Sequence, residues 1–171
     1  EARKISQNAS GRNSGFAVAH SHFPGRFNAK LIKECERIDK INRRGLEYLL
    51  SEVSNHNIEC DWQEQGFYHA AADKQSLIAC DDFIDYLERC QIKHQSLLQK
   101  DLEEQLGTSW YQKAVKVSEG VLINPAKLVI GLAENLPKNV RLYENTPVLT
   151  LSGKKQITLK TPFANLIADK V

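Results

Sequence analysis

Glu1-Ala2-Arg3-Lys4-Ile5-Ser6-Gln7-Asn8-Ala9-Ser10-Gly11-Arg12-Asn13-Ser14-Gly15 opens the sequence, running on into Phe16-Ala17-Val18-Ala19-His20-Ser21-His22. The first residue is an acid, and eight positions later comes a run of small residues, Ala9-Ser10-Gly11, followed by Arg12-Asn13-Ser14-Gly15. Small residues let the backbone come close to a ligand with its N–H groups uncovered, and an arginine adds a planar cationic fork. Such a segment has the parts of a cradle for a phosphate-bearing or carbonyl-rich cofactor. On composition alone the same residues also suit a plain loop that opens a helix.

Glu1-Ala2-Arg3, the short spacer and Ala9 to Gly15 resemble the second FAD fingerprint of the D-amino-acid oxidase-like (DAO) family, in particular its gamma-glutamylputrescine oxidoreductase branch. Two later stretches carry the same resemblance in the same order. Gly120-Val-Leu-Ile-Asn-Pro-Ala-Lys-Leu is similar to the family's Asn-Pro-x-x-Leu helix start, and Val140-Arg-Leu-Tyr-Glu-Asn-Thr-Pro-Val148 to its Tyr-Glu-x-Thr-Pro-Val strand. The resemblance implies that Glu1, with Ala2 and Arg3, sits at the adenosine ribose, where a carboxylate can accept from both hydroxyls. It implies that Ala9, Ser10, Arg12, Asn13, Ser14 and Gly15 run along the flavin side, and that the backbone of Val148 meets the adenine. The implied fold is α+β: an internal fragment of a FAD/NAD(P)-binding, Rossmann-like domain plus a helix-rich substrate domain with an antiparallel sheet. Residues 1–27 are then a remnant of the FAD-binding domain, 28–119 the substrate domain, and 120–171 the return to the FAD-binding domain.

The family's Gly-x-Gly-x-x-Gly turn is expected about thirty residues before Glu1. With no methionine in its 171 residues, the chain is read as an internal piece of a longer protein, with trimming of a complete small protein as the alternative. Alone it is expected to hold FAD too weakly for a stable complex, because that turn and its helix N-terminus neutralise the pyrophosphate.

Composition bounds the remaining classes. A chain of this length buries one sizeable core, and 42% hydrophobic with 26% charged residues is the balance of an ordinary globular protein. A net charge of +2 gives no reason to expect a nucleic-acid partner. The four cysteines, at 35, 60, 80 and 90, form no Cys-x-x-Cys pair, so no metal site is expected and a reducing, cytoplasmic setting is. No membrane partner is expected either, because no apolar run approaches the length of a span. Asp81, Asp82, Asp85 and Glu88 form an acidic cluster whose carboxylates do not converge as a cation site requires.

Along the chain, the spacing predicts a helix from Ser10 to about Ala19, stopped by Phe23-Pro24-Gly25-Arg26. His20 and His22 stand where the family's chain leaves the flavin, as candidates to lie near a substrate or as a plain surface turn. Asn28 caps a predicted helix to Asn55 with Leu31, Cys35, Ile38, Leu46, Leu49 and Val53 on one stripe. Residues 58–71 read as extended, and the resemblance implies that Tyr68 or His69 faces the substrate pocket. Helices are predicted over 73–93, 96–106 and 126–136, the last with Asn124 as cap and Pro125 at its first position. Extended segments are predicted from Trp110 toward Val117 and over 140–143, 148–151, 156–161 and 166–171.

The function the resemblance implies is FAD-dependent oxidation of a small-molecule amine or amino acid by hydride transfer to the flavin, with no residue assigned as catalytic. The alternatives are a non-enzymatic α+β binding domain that lacks a flavin site, and a small protein whose Ser-Gly-Arg-Asn-Ser-Gly loop binds a simpler phosphorylated ligand.

Overall fold

The computed structural model describes residues 1–20, 29–154 and 156–171, with side chains from residue 32 onward in the first helix. In chain order the elements are β1 (Phe16–Ala17), α1 (Ala29–Asn55), β2 (Phe67–Ala71), α2 (Lys74–Arg89), β3 (His94–Leu98), α3 (Gln99–Leu106), β4 (Lys113–Val117), β5 (Val121–Leu122), α4 (Pro125–Glu134), β6 (Thr150–Ser152), β7 (Ile157–Lys160) and β8 (Asn165–Ala168). Every strand pairing is antiparallel, and the class is α+β as expected. Contacts divide the chain into two units: residues 1–14, 52–60 and 124–171 form one, and 15–51 with 61–123 the other.

The second unit is built on a sheet of order β2-β4-β3. Alternation sorts its two faces. Phe67 and Ala71 of β2 and Val115 and Val117 of β4 pack with Cys80, Phe83, Ile84 and Leu87 of α2, whose three- and four-residue steps make one apolar stripe. On the opposite face Leu97, Leu102 of α3 and Ala114 pack with Tyr68, Ala70 and Tyr111. The start of α2 is fixed by a reciprocal cap: Ser76 N–H donates to Asp73 Oδ1 at 2.8 Å, and Asp73 N–H donates to Ser76 Oγ at 3.0 Å.

In the first unit, β6, β7 and β8 form a three-stranded meander. The expected Asn124 cap closes α4, accepting from Lys127 N–H at 3.2 Å, with Pro125 at its first position. None of the four cysteines is in a disulfide. Burial, first among the causes, pushes the Cys35, Cys80 and Cys90 thiols up, which keeps them protonated and unreactive.

Three expectations fail locally, each to a competing interaction. No helix runs from Ser10 to Ala19: a single 3-10 turn covers Ala9–Gly11, Gly15 takes a left-handed φ of 78°, and Phe16 and Ala17 pair with β5. Residues 96–98 belong to a strand because β3 pairs with β4 along its length, and α3 starts only where the Asp101 carboxylate accepts from Leu98 N–H at 3.0 Å. Residues 140–143 form no strand; their neighbours bond to the chain's opening instead, as described below. The extended stretch 58–71 is regular only over β2, after one isolated bridge between Gln63 and Leu122, because Asp61 turns left-handed at φ 54°. The predicted Asn28 cap lies outside the described residues.

Candidate functional site

The opening residues lie against the Tyr-Glu-x-Thr-Pro stretch. The Glu1 nitrogen donates to Tyr143 O at 2.9 Å, Thr146 N–H to Glu1 O at 2.9 Å, and Asn145 N–H to Arg3 O at 3.1 Å. Two motifs separated by about 140 positions in sequence therefore meet in one unit. Glu1 Oε1 accepts from Arg3 N–H at 3.1 Å and from Asn8 Nδ2 at 2.7 Å, while Oε2 has no hydrogen bond among the described residues. The Arg3 amide, ahead of the other causes, holds this carboxyl below the usual range and so ionised. An anchored carboxylate with one open oxygen is what a ribose diol requires.

The small-residue segment follows. Asn13 Nδ2 donates back to Ala9 O at 3.2 Å and Ser10 O at 2.9 Å, which ties the 3-10 turn together. Gly11 is buried, and a Cβ at that position would lie 2.1 Å from Ser6 O, so only glycine fits. The side chains of Ser10, Arg12 and Ser14 are exposed and make no hydrogen bond among the described residues. Ala2 and Ala9 are exposed as well, and Val148 is half-exposed. An open acceptor with a guanidinium and two hydroxyls free to bond in the same unit fits the donor and acceptor needs of a flavin dinucleotide.

In the second unit, Gly15 O accepts from Ile123 N–H at 3.0 Å. His20 is buried at 2% exposure, with Nδ1 3.2 Å from Asp39 Oδ2. Tyr86, fully buried, donates its hydroxyl to the same Asp39 oxygen at 2.5 Å. His20 Nε2 lies 3.2 Å from Glu119 Oε2, which accepts from Arg43 Nε at 3.0 Å. The Nε2 approach is close enough for an ion pair but out of line for a directional hydrogen bond. Glu119 and Arg43 also line a cavity of about 290 Å³ with Trp62 and Leu46. His22 lies outside the described residues.

Sequence reasoning missed Asp39, Tyr86 and Glu119. The available signals were an acid four residues after buried Cys35 and a tyrosine three after buried Phe83, each on an otherwise apolar helix face.

Tyr68 and His69 point to opposite faces. The His69 ring lies 5.2 Å from that of Phe83, on the α2 side. Tyr68 lines a cavity of about 370 Å³ with Phe16, Gln65, Leu106, Tyr111 and Lys116. Its hydroxyl donates to Gln105 Oε1 at 3.1 Å, and Lys116 Nζ stands 5.1 Å from its ring centroid. Lys116 is the only charged group among the cavity's described lining residues. On the other face of β4, Lys113 is paired with Asp81; Lys116 has no carboxylate partner among the described residues.

Among the described residues no group of three or more potential ligand side chains is placed to hold a metal ion, and no helix is long and apolar enough to cross a membrane. Over 178 aligned residues the chain is 27% identical to gamma-glutamylputrescine oxidoreductase of Escherichia coli (strain K12), an alignment that covers 94% of this chain and 40% of that protein. Its fold is that of glycine oxidase from Geobacillus kaustophilus, with a TM-score of 0.76 at 17% identity over 99% of this chain and 45% of that one. L-amino acid deaminase from Proteus vulgaris shares it at a TM-score of 0.66 and 16% identity, over 99% of this chain and 44% of that one. The chain thus spans less than half the length of these relatives. Residues 1–169 match the family described as FAD dependent oxidoreductase, DAO, and to that family the chain belongs.

Proposed function

We propose that the chain is part of a flavoprotein that oxidises a small amine or amino acid at the carbon next to nitrogen. The observation that supports this most directly is the bonding of the opening Glu1–Arg3 to Tyr143–Thr146, which leaves an ionised acid with one open oxygen. In this reading Glu1 holds the adenosine ribose with Ala2 and Arg3 beside it, and the backbone of Val148 meets the adenine. Ala9, Ser10, Arg12, Asn13, Ser14 and Gly15 flank the flavin. Residues 1–27 and 120–171 serve the cofactor and 28–119 the substrate, with Phe16 the exception in the wall of the Tyr68 cavity. FAD, when bound, supplies the hydride acceptor; the chain's own residues bind and orient. The 171 residues contain no Gly-x-Gly-x-x-Gly, so by themselves they lack the turn that would hold the pyrophosphate. Four cysteines outside any disulfide, three of them buried, support a reducing, cytoplasmic setting.

The cavity beside Tyr68 is the substrate side. Its aromatic walls suit an apolar body, and Lys116 suits a carboxylate, which favours an amino acid over a simple amine. The test is anaerobic bleaching of the flavin in the flavoprotein that carries this chain, with amino acids and their decarboxylated amines as matched pairs. Bleaching by the amino acids first is the expected result; no bleaching by any member of either series, with flavin bound, would sink the oxidase reading. Lys116→Met should raise KM for the amino acid about 10- to 100-fold, with a smaller change in kcat, as loss of a charged contact made already in the ground state. An unchanged KM removes Lys116 from the substrate site.

A further inference from the structure

Residues 15–20 are fastened to 119–123 at successive levels. Gly15 O accepts from Ile123 N–H, Phe16 pairs with Leu122 and Ala17 with Val121, and beyond the last pair His20 meets Glu119. A pair of two-residue strands is marginal in water by itself. β5 is also held on its other side by the bridge to Gln63, so it is β1 that depends on what closes the far end of the pair. That end is closed by a run of groups whose acids and bases alternate: Asp39, His20, Glu119 and Arg43, joined at 3.2, 3.2 and 3.0 Å. Asp39 is 3% exposed, and Tyr86 supplies it with a further donor.

The ring of His20 meets a carboxylate at each nitrogen. Removing charges from water is costly, and the cost is offset only where each charge keeps its partners. Here Asp39 accepts from the buried Tyr86 hydroxyl on one side and Glu119 from the half-exposed Arg43 guanidinium on the other, with the His20 ring between the two carboxylates.

We propose that Asp39, His20 and Glu119 form a clamp whose task is to position Phe16. Phe16 stands in the wall of the cavity that holds Tyr68 and Lys116, and its backbone is set by the β1–β5 pairing that the clamp closes. His20 is therefore a positioning residue that acts through β1, without touching substrate. The link to substrate rests on the proposed function; the clamp itself does not.

Amide hydrogen exchange tests the clamp in the flavoprotein that carries this chain. Glu119→Gln, at the half-exposed end, removes one charge without opening the core. It is expected to speed exchange of the amides of β1 and of Val121 and Ile123 about tenfold, while leaving those of α2, and the Leu122 amide that donates to Gln63 O, within about twofold. His20→Gln is expected to speed the first group further. Exchange in β1 and at Val121 and Ile123 that stays at the wild-type rate in Glu119→Gln would overturn the clamp, whether or not His20→Gln folds. In the flavoprotein, Glu119→Gln should raise KM more than it lowers kcat, and Glu119→Asp, which restores the charge, should recover most of the loss. Faster exchange with an unchanged KM would overturn the assignment of Phe16 to the substrate side and leave the clamp in place. Loss of amine oxidation altogether as a reading would leave the exchange result untouched.

Discussion

Asp39→Ala is expected to destabilise the protein by about 3–5 kcal/mol, the range for removing one partner from a buried charged network. Asp39 lies inside α1 at 3% exposure and accepts from both the Tyr86 hydroxyl and the His20 ring. Alanine would leave both of those groups buried without that acceptor, and would open a cavity beside them. Against a total of about 5–15 kcal/mol for a typical domain, such a loss is large enough to see in any denaturation curve. Asp39→Asn keeps the shape and one acceptor, so it should cost less, roughly 1–3 kcal/mol. The same cluster carries a pH signature. Burial first, and then the bond to Asp39, raise the Tyr86 hydroxyl above its ordinary value, so the folded protein keeps the proton. A folded-state value above the unfolded one means stability that is complete below pH about 10, where a free tyrosine titrates, and that falls as pH rises beyond it. Urea midpoints measured as pH is raised through that value should fall in the wild type and lose most of that slope in Tyr86→Phe. A midpoint for Asp39→Ala within experimental error of wild type would contradict the account of this cluster.

Which parts of the molecule could be read in advance follows from where the deciding interactions lie. α2 and α4 are legible because their signals are local: apolar residues at 80, 83, 84 and 87, a cap at Asp73, and Asn124-Pro125 ahead of the last helix. The stretches 10–19, 96–98 and 140–143 were misread because partners far away in the chain decide them. Phe16 finds Leu122, Leu97 finds Ala114, and Glu1 finds Tyr143. Local propensity cannot report those pairings. The opening segment stands out as a motif for the same reason as the helices: glycine, serine and arginine lie consecutively, and the chemistry proposed for them is in the backbone they leave open. The clamp was not, because His20, Asp39, Tyr86 and Glu119 come from four separate places and each looks ordinary where it stands. His20 drew notice only as a residue near the end of the cofactor segment, and burial gives it a structural partner there. Apolar side chains at Leu151, Leu166 and Ile167 on β6 and β8 are exposed, a reminder that burial within this chain does not exhaust what its hydrophobic pattern serves.

Glu1→Gln, in the flavoprotein that carries this chain, is expected to weaken FAD binding about 10- to 100-fold. The substitution isolates a single oxygen. Oε1 of Glu1 is already engaged by Arg3 N–H and the Asn8 amide, and a glutamine can keep both bonds with its carbonyl. What it cannot keep is Oε2, the one position left to accept from ribose hydroxyls, which becomes an NH₂ donor. The loop geometry should survive while the acceptor is lost, so a weakened complex reports the ligand contact itself. Glu1→Ala would remove the anchor for Arg3 and Asn8 as well and should weaken binding further. The pH dependence has a definite sign. The Arg3 amide, first among the causes, holds the Glu1 carboxyl below the ordinary range. The accepting, ionised form then persists into mild acid, and affinity for FAD should fall only as pH drops through that lowered value. In Glu1→Gln this acid limb should disappear. Titration of FAD into the apoprotein, followed by quenching of flavin fluorescence at several pH values, measures both. A glutamine variant that binds FAD as tightly as wild type, with the same acid limb, would show that the ribose is held elsewhere and would take the cofactor assignment of the opening segment with it.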